Sequence, residues 1–416
     1  MNLKSLLLKK TEKRTHHHFP LKDSTFRNKD LIEGIKVILS KNMTMSKITR
    51  KFEKNFSKKL KIANPLMTNS GSSANFLALQ CLINPYRKNR LKKGDEVLIP
   101  SVCWPTSLWP IIQSGLKPKF VDVEKETFNI CLNDLRKKIT KRTKALMLIH
   151  VLGNCTDMNE LMKILNQNKI ILIEDTCESI GAKYKNKFLG SFGNFSTFSF
   201  YYSHQISSVE GGMICCKDKR DEDIIKSLRS HGWARDLSNQ SKIEKKYKNI
   251  DSKFLFVNSG YNLRPTEINA AIGLSQFKSL NKFNKTRKAN RSKIIKKLIS
   301  NKKWKDQVSF IKNKIQTDPS WFGLPMLINT KYKKYKKKIF NRLDSFGIEC
   351  RPIISGNFLK QPALKKYYIR EKSADFPNAN YIHEHGLFVG LRHKLLSEDE
   401  TNKFVNIFFK SFNIKK

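Results

Sequence analysis

The sequence has no Cys-x-x-Cys pair. Its eight cysteines, Cys81, Cys103, Cys131, Cys155, Cys177, Cys215, Cys216 and Cys350, are scattered, and none falls between Cys216 and Cys350. A disulfide framework and a zinc site are therefore not expected, and a reducing, cytoplasmic setting is. No run approaches the roughly eighteen apolar residues that cross a bilayer, and Leu6-Leu7-Leu8 is too short for the apolar core of a signal peptide. Neither membrane insertion nor export is expected. Acid is scarce as well: 35 Asp and Glu face 81 Lys and Arg, a net charge of +46. Such an excess attracts anions in general. Here it is almost all lysine, spread along the chain with plentiful Asn and Ile, which reads as coding bias. The densest run, Lys331 to Lys338, holds only Tyr332 and Tyr335 as aromatics, so a solvated helix face is expected there and no nucleic-acid partner.

What is present is a globular composition, 39% hydrophobic and 10% aromatic over 416 residues, enough for two lobes and a large core. Residues 1–19 read as a flexible basic tail in which His16-His17-His18 is a weak metal-binding feature. From 20 to 285 strands and helices alternate, which predicts an α/β domain with a mostly parallel sheet. Leu31–Leu39 and Thr44–Phe56 carry helical apolar spacing. Beyond about 285 the rhythm gives way to basic helices and isolated strands, the smaller C-terminal α+β domain, 286–416.

The apolar run Ile170-Ile171-Leu172-Ile173 ends in Glu174-Asp175 and leads into Thr176-Cys177-Glu178-Ser179. A short unbroken apolar run reads as a strand buried on both faces, which puts Asp175 at its carboxyl end, where open α/β sheets hold ligands. An aspartate there also suits a helix N-cap. Then come Phe198-Ser199-Phe200-Tyr201-Tyr202-Ser203-His204-Gln205 and Glu210-Gly211-Gly212, whose glycines mark a turn where the backbone comes close to something.

Upstream, Asn69-Ser70-Gly71-Ser72-Ser73 feeds a helix start, where converging N–H groups and hydroxyls suit a phosphate and suit plain capping too. Trp104 stands just past the strand that ends at Pro100, a position that also suits a core plug. His150, inside an apolar strand, reads as a packed core histidine.

Together these segments resemble the DegT/DnrJ/EryC1/StrS family of nucleotide-sugar aminotransferases and dehydratases over roughly residues 20 to 410. The resemblance implies the aspartate-aminotransferase-like fold, type I of the pyridoxal-phosphate-dependent transferases, and pyridoxal 5'-phosphate, also in its pyridoxamine form, as cofactor. In the aminotransferases of the family the position of His204 is a lysine that holds the cofactor covalently. Histidine there is similar to the 3-dehydratase branch, whose cofactor is untethered.

The same resemblance implies the other roles. Gly71, Ser72, Ser73 and Ser199 would meet the phosphate, Trp104 would stack on the ring, and Asp175 would pair with the ring nitrogen. Glu178, on the cofactor side, stands where the aminotransferases usually carry glutamine and where the dehydratase branch also has a carboxylate. Asn262 would reach across a homodimer interface to the neighbour's cofactor phosphate, and Arg264 would come close to the substrate in the same way, so active sites would be shared. His231, in the branch-like His231-Gly232-Trp233-Ala234-Arg235-Asp236, and Phe254, where the basic loop behind it ends, fall on the substrate side. Arg351 suits the fork for a carboxylate such as that of glutamate, and also suits a plain surface arginine.

The implied reaction removes the C3 hydroxyl of a nucleotide-linked 4-keto-6-deoxy hexose, GDP-4-keto-6-deoxy-D-mannose foremost, in 3,6-dideoxysugar biosynthesis for lipopolysaccharide O-antigen. L-Glutamate is the amino donor, and ammonia and 2-oxoglutarate leave. His204, with a pKa expected near neutrality, would move the protons. A related dehydratase acting on a CDP-linked sugar carries an iron–sulfur cluster on cysteines around the loop after Cys216. With no thiolate there, no cluster is expected. Three other readings stay open: a CDP-linked substrate, a non-catalytic nucleotide-sugar-binding relative, and a nucleic-acid-binding protein that only the net charge supports.

Overall fold

The computed structural model describes residues 17–21, 25–367, 369 and 371–414. The central sheet contains β1 (Pro65–Thr68), β2 (Glu96–Pro100), β3 (Lys117–Val121), β4 (Thr143–Ile149) and β5 (Ile171–Asp175). After the short strands β6 (Lys183–Tyr184) and β7 (Lys187–Phe188) it is completed by β8 (Phe195–Ser199) and β9 (Gly212–Cys216). The spatial order is β1-β9-β8-β5-β4-β2-β3. Strands β8, β5, β4, β2 and β3 pair in parallel, and β9 runs against both of its neighbours. The mostly parallel sheet expected from the sequence is thus present.

The helices around it are α1 (Asn28–Ser40), α2 (Lys47–Leu60), α3 (Gly71–Ile83), α4 (Pro105–Gln113), α5 (Leu132–Lys138), α6 (Met158–Gln167), α7 (Lys219–Arg229), α8 (Gln240–Lys246), α9 (Glu267–Phe277) and α10 (Leu280–Ile299). Helix α2 starts later than the spacing predicts because Thr44 is extended, bridging Thr266. The Glu267 carboxylate then accepts from the Ser46, Ile48 and Thr49 N–H groups and caps the helix.

The Phe-Ser-Phe motif shows why the sheet packs as it does. Successive strand residues face opposite sides, so Phe198 and Phe200 turn together into a cluster with Phe52, Phe56 and Phe277, rings 4.9 to 6.3 Å apart. Ser199 is left facing the other way. Aromatic pairs of this kind contribute about 0.5–1.5 kcal/mol each beyond their buried area.

The C-terminal lobe is an antiparallel sheet of order β10-β12-β14-β13, with β10 (Val308–Phe310), β12 (Gly323–Ile328), β13 (Cys350–Arg351) and β14 (Gly386–Gly390). Against it lie α11 (Lys336–Ser345) and α12 (Pro377–His385), and α13 (Glu398–Phe412) packs on α10 and α11. Strand β11 (Thr317–Asp318) pairs with β6, stitching the lobes together. The boundary expected at 285 falls inside α10, which runs on unbroken to Ile299.

Two other expectations shift. The part of the tail that is described is not loose: Phe19 is 3% exposed, bridges Ile348 and packs edge-on against Phe404. The Lys331–Lys338 run is a 3-10 turn (Thr330–Tyr335) followed by the start of α11, and Lys336 Nζ donates to the His383 carbonyl instead of lying in solvent.

Candidate active site

Helices α3 and α4, strand β8 and the loop after β5 meet at the carboxyl end of β5. Asp175 closes that strand, 5% exposed. Its Oδ2 accepts from Asn75 Nδ2 at 2.9 Å and Ser107 Oγ at 2.7 Å, and its Oδ1 accepts from the Cys177 N–H at 3.1 Å. Asn75 is itself held, its Oδ1 accepting from Thr197 Oγ1 at 2.6 Å. The acid is fixed in direction by α3, α4 and the loop after β5.

The expected phosphate residues gather beside it. Ser70 caps α3, its Oγ accepting from the Ser73 N–H at 3.1 Å. Ser72 Oγ donates to Thr106 Oγ1 at 3.0 Å, joining the starts of α3 and α4. A Cβ on Gly71 would lie 2.7 Å from Ser199 Cβ and 3.0 Å from Cys177 Sγ, so only glycine lets the helix start sit on the ends of β5 and β8. Gly212, paired with both Thr68 and Ser199, has the Ser70 carbonyl where its own Cβ would be, 2.4 Å away. That is the close approach signalled by the glycine pair. Trp104, at the start of α4, leaves 56% of its surface open next to this cradle.

His204 lies in the turn after β8, its N–H donating to the Tyr201 carbonyl at 3.0 Å. The ring packs against Phe322 of the C-terminal lobe, centroids 5.2 Å apart, and edge-on to Tyr201. Nδ1 is buried and hydrogen-bonded to nothing. The near-neutral pKa expected for it is not what these surroundings give. Burial, and then the charge of Arg287, push the imidazole down to about 3. Glu178 moves the opposite way: burial raises its carboxyl to about 7 against the Leu152 N–H it accepts at 2.8 Å, with the nearby charge of Asp175 adding to the rise.

The remaining expected residues form a second group. Arg264 Nη2 lies 3.2 Å from His231 Nε2 and its guanidinium sits over Trp233. Asn262 is exposed and accepts from Arg264 Nε at 3.3 Å. This segment reaches the cradle through the Asn69 N–H, which donates to the Leu263 carbonyl at 3.1 Å. Phe254 is 65% exposed. Arg351 is exposed with its fork already engaged, Nη2 donating to Glu349 Oε1 at 2.7 Å. Its segment nevertheless lies on the cradle, since Ser355 Oγ donates to the Cys103 carbonyl beside Trp104. His16 lies outside the described residues, and His17 pairs with Asp344. Among the described residues no three His, Cys, Asp or Glu side chains could hold a metal, and no helix is long and apolar enough to cross a membrane.

Sequence reasoning passed over Asn75, Thr106 and Ser107, which orient Asp175 and the helix starts. It also passed over Glu174, which accepts from the N–H groups of Gly190, Phe192 and Gly193 and from His150 Nε2. His150 is the fully buried core residue it was expected to be. A pre-oriented buried carboxylate, an exposed indole and a helix start opening beside a strand-end serine are what a pyridoxal phosphate needs for its ring nitrogen, ring face and phosphate. The residues present fit the group.

The sequence model of the DegT/DnrJ/EryC1/StrS aminotransferase family matches residues 26–408. The GDP-4-keto-6-deoxy-D-mannose 3-dehydratase of Escherichia coli O55:H7 is 37% identical over 385 residues, 92% of this chain and 97% of that protein. The protein of the same name from Yersinia pseudotuberculosis is 36% identical over 392 residues, 93% and 97% of the two chains. A solved GDP-4-keto-6-deoxymannose-3-dehydratase with a trapped PLP-glutamate geminal diamine superposes with a TM-score of 0.86 at 35% identity, covering 94% of this chain and 100% of that one.

Proposed function

The chain belongs to the DegT/DnrJ/EryC1/StrS aminotransferase family, and from that premise we propose that it is a pyridoxal-phosphate-dependent 3-dehydratase. Its substrate in this reading is GDP-4-keto-6-deoxy-D-mannose, which loses the C3 hydroxyl while L-glutamate serves as amino donor and ammonia and 2-oxoglutarate are released. The observation that carries the reading is His204, an imidazole kept neutral by burial in the turn after β8, whose ring packs on Phe322 of the C-terminal lobe. Histidine forms no covalent link to the cofactor, so the group is held by shape and charge alone.

When bound, the cofactor supplies the electron sink that lets a hydroxyl depart next to a ketone. Asp175, held by Asn75, Ser107 and the Cys177 N–H, would hold a proton on the ring nitrogen. Trp104 would cover one ring face. The Gly71, Ser72 and Ser73 helix start, with Ser199, would take the phosphate. Glu178, protonated near neutrality, is able to donate to an acceptor of the cofactor. His204 Nε2 takes up and returns the proton in both half-reactions.

We read the protein further as a cytoplasmic homodimer in which Asn262 and Arg264 complete the partner's site, with Arg351 and Phe254 on the substrate side. Exposed Phe256, stacked on the Trp233 ring that Arg264 covers, and exposed Tyr261 next to Asn262 in the chain support this, because exposed apolar surface around a site marks an interface. The division into a large domain, 20–285, and a small one, 286–416, belongs to the same reading.

The test is incubation of purified protein with pyridoxal phosphate, L-glutamate and a panel of GDP- and CDP-linked 4-keto-6-deoxyhexoses. Ammonia release and a product lacking one oxygen, with the GDP-linked mannose form preferred, is the expected result. No ammonia with any sugar in the panel would refute the proposal.

A further inference from the structure

We infer that Gln205 positions His204 by tying the turn after β8 to Glu178 on one side and to the C-terminal lobe on the other; the inference rests on the function proposed above. Gln205 is fully buried. Its Nε2 donates to the Glu178 carbonyl and to the Ser320 carbonyl, the latter at 3.0 Å, while its Oε1 is hydrogen-bonded to nothing. A buried amide that leaves its own acceptor orphaned is a poor core residue beside an apolar side chain of the same shape. Packing does not account for it, and the two donated bonds do.

Those bonds belong to a closed circuit that carries Phe322, the ring against which the imidazole packs. The Leu152 N–H donates to Glu178 Oε2, and the Leu152 carbonyl accepts from the Phe322 N–H at 3.1 Å. The Ser320 N–H donates to the Gly153 carbonyl at 3.0 Å. Gly153, at φ +90°, permits that approach, since a Cβ there would lie 2.1 Å from the Ser320 oxygen. Phe322, two residues past Ser320, is the ring against which His204 packs. With no hydrogen bond on Nδ1, the imidazole is aimed by its own turn and by Phe322. Gln205 holds both of these: it is the next residue in the turn, and it grips the segment that carries the phenyl ring.

Gln205→Leu removes both donors, and Gln205→Glu keeps the length but can donate only when protonated. In the apo chain labelled with 15N-histidine, the His204 resonance is identified by its disappearance in His204→Asn. Gln205→Leu is expected to broaden or split that resonance while the chain stays folded. In turnover, kcat should fall by about a hundredfold, as for a misplaced proton-transfer group, with KM for the nucleotide sugar little changed. The isotope effect on 2-oxoglutarate release from 2-deuterated L-glutamate should rise above wild type. Relative to wild type, Gln205→Glu should regain activity as pH falls and its carboxyl protonates. An unaltered His204 resonance with wild-type kcat in Gln205→Leu, or in Gln205→Glu at a pH where its carboxyl is ionised, overturns the inference. So does a loss of turnover that matches a loss of folded protein and leaves the isotope effect unmoved. If wild type itself lacks dehydratase activity, the proposed function fails, while the apo resonance still decides whether Gln205 orders His204.

Discussion

Asn75 Nδ2 lies 2.9 Å from Asp175 Oδ2, and the same amide accepts from Thr197 Oγ1 through its own oxygen. A helix on one face of the sheet thus sets the direction of a carboxylate at a strand end. The bond is charge-assisted, a class that contributes roughly 1.5–3 kcal/mol. Asn75→Leu should leave Asp175 short of a donor and Thr197 short of an acceptor. Pyridoxal phosphate, titrated by its absorbance, is expected to bind about tenfold more weakly, the loss of about 1.4 kcal/mol. Undiminished affinity would mean that the acid is not held for the ring nitrogen.

Gly212 has the Ser70 carbonyl 2.4 Å from where a Cβ would stand, and the Gly71 nitrogen 2.6 Å away. Both neighbours are backbone and cannot swing aside. Gly212→Ala should therefore push the start of α3 off the sheet, costing about 1–3 kcal/mol as overpacking does. Chemical denaturation would measure the loss, and cofactor affinity should fall with it if the displaced amides hold the phosphate, as proposed.

Glu178 and His204 titrate in opposite senses. The Glu178 carboxyl is raised from 4.5 to about 7, so the stability it contributes is fully present below pH 4.5 and is lost as pH rises through 7. His204 is lowered from 6.5 to about 3, so its contribution is present above pH 6.5 and is lost as pH falls toward 3. Glu178→Gln keeps the neutral form at every pH. Its thermal midpoint minus that of wild type should grow between pH 4.5 and 7. A difference that stays flat over that window would show that the carboxyl is not buried in solution.

A lysine at position 204 would meet the same burial and the same Arg287 charge that depress the imidazole, and both lower an amine's pKa toward the nucleophilic free base. His204→Lys should hold the cofactor covalently, seen as a mass increase after borohydride reduction. Ammonia release from the nucleotide sugar should drop by about 10²–10⁴-fold, the usual worth of a positioned acid–base group.

The sequence made the strand end at Asp175, the glycine approach at Gly212 and the odd residue at 204 legible, because each is a local signal: an apolar run, a Gly-Gly pair, one side chain inside a motif. Asn75 and Ser107 were not legible as partners of Asp175, since they lie 100 and 68 residues from it in sequence and meet it only once α3 and α4 dock. The pKa of His204 depends on Arg287 and Phe322, contributed by α10 and the C-terminal lobe, which no local pattern announces. Arg351 read as a free fork because Glu349, two residues away, gives no sign in the sequence that its carboxylate will turn back and occupy it.

Asn262 is exposed, as are its chain neighbour Tyr261 and Phe256, which stacks on the Trp233 ring under Arg264. In a homodimer with shared sites, Asn262→Ala would cripple the neighbour's cofactor pocket and His204→Asn its own. Each homodimer should then be nearly inactive. When the two variants are unfolded, mixed and refolded together, half of the dimers are mixed on statistical grounds, and each of these holds one site with both defects and one with neither. Turnover should therefore return to roughly a quarter of wild type, the yield of non-additive residues segregated between subunits. If the mixture stays as inactive as its parents while sedimentation shows dimers, Asn262 serves its own chain and the sites are not shared.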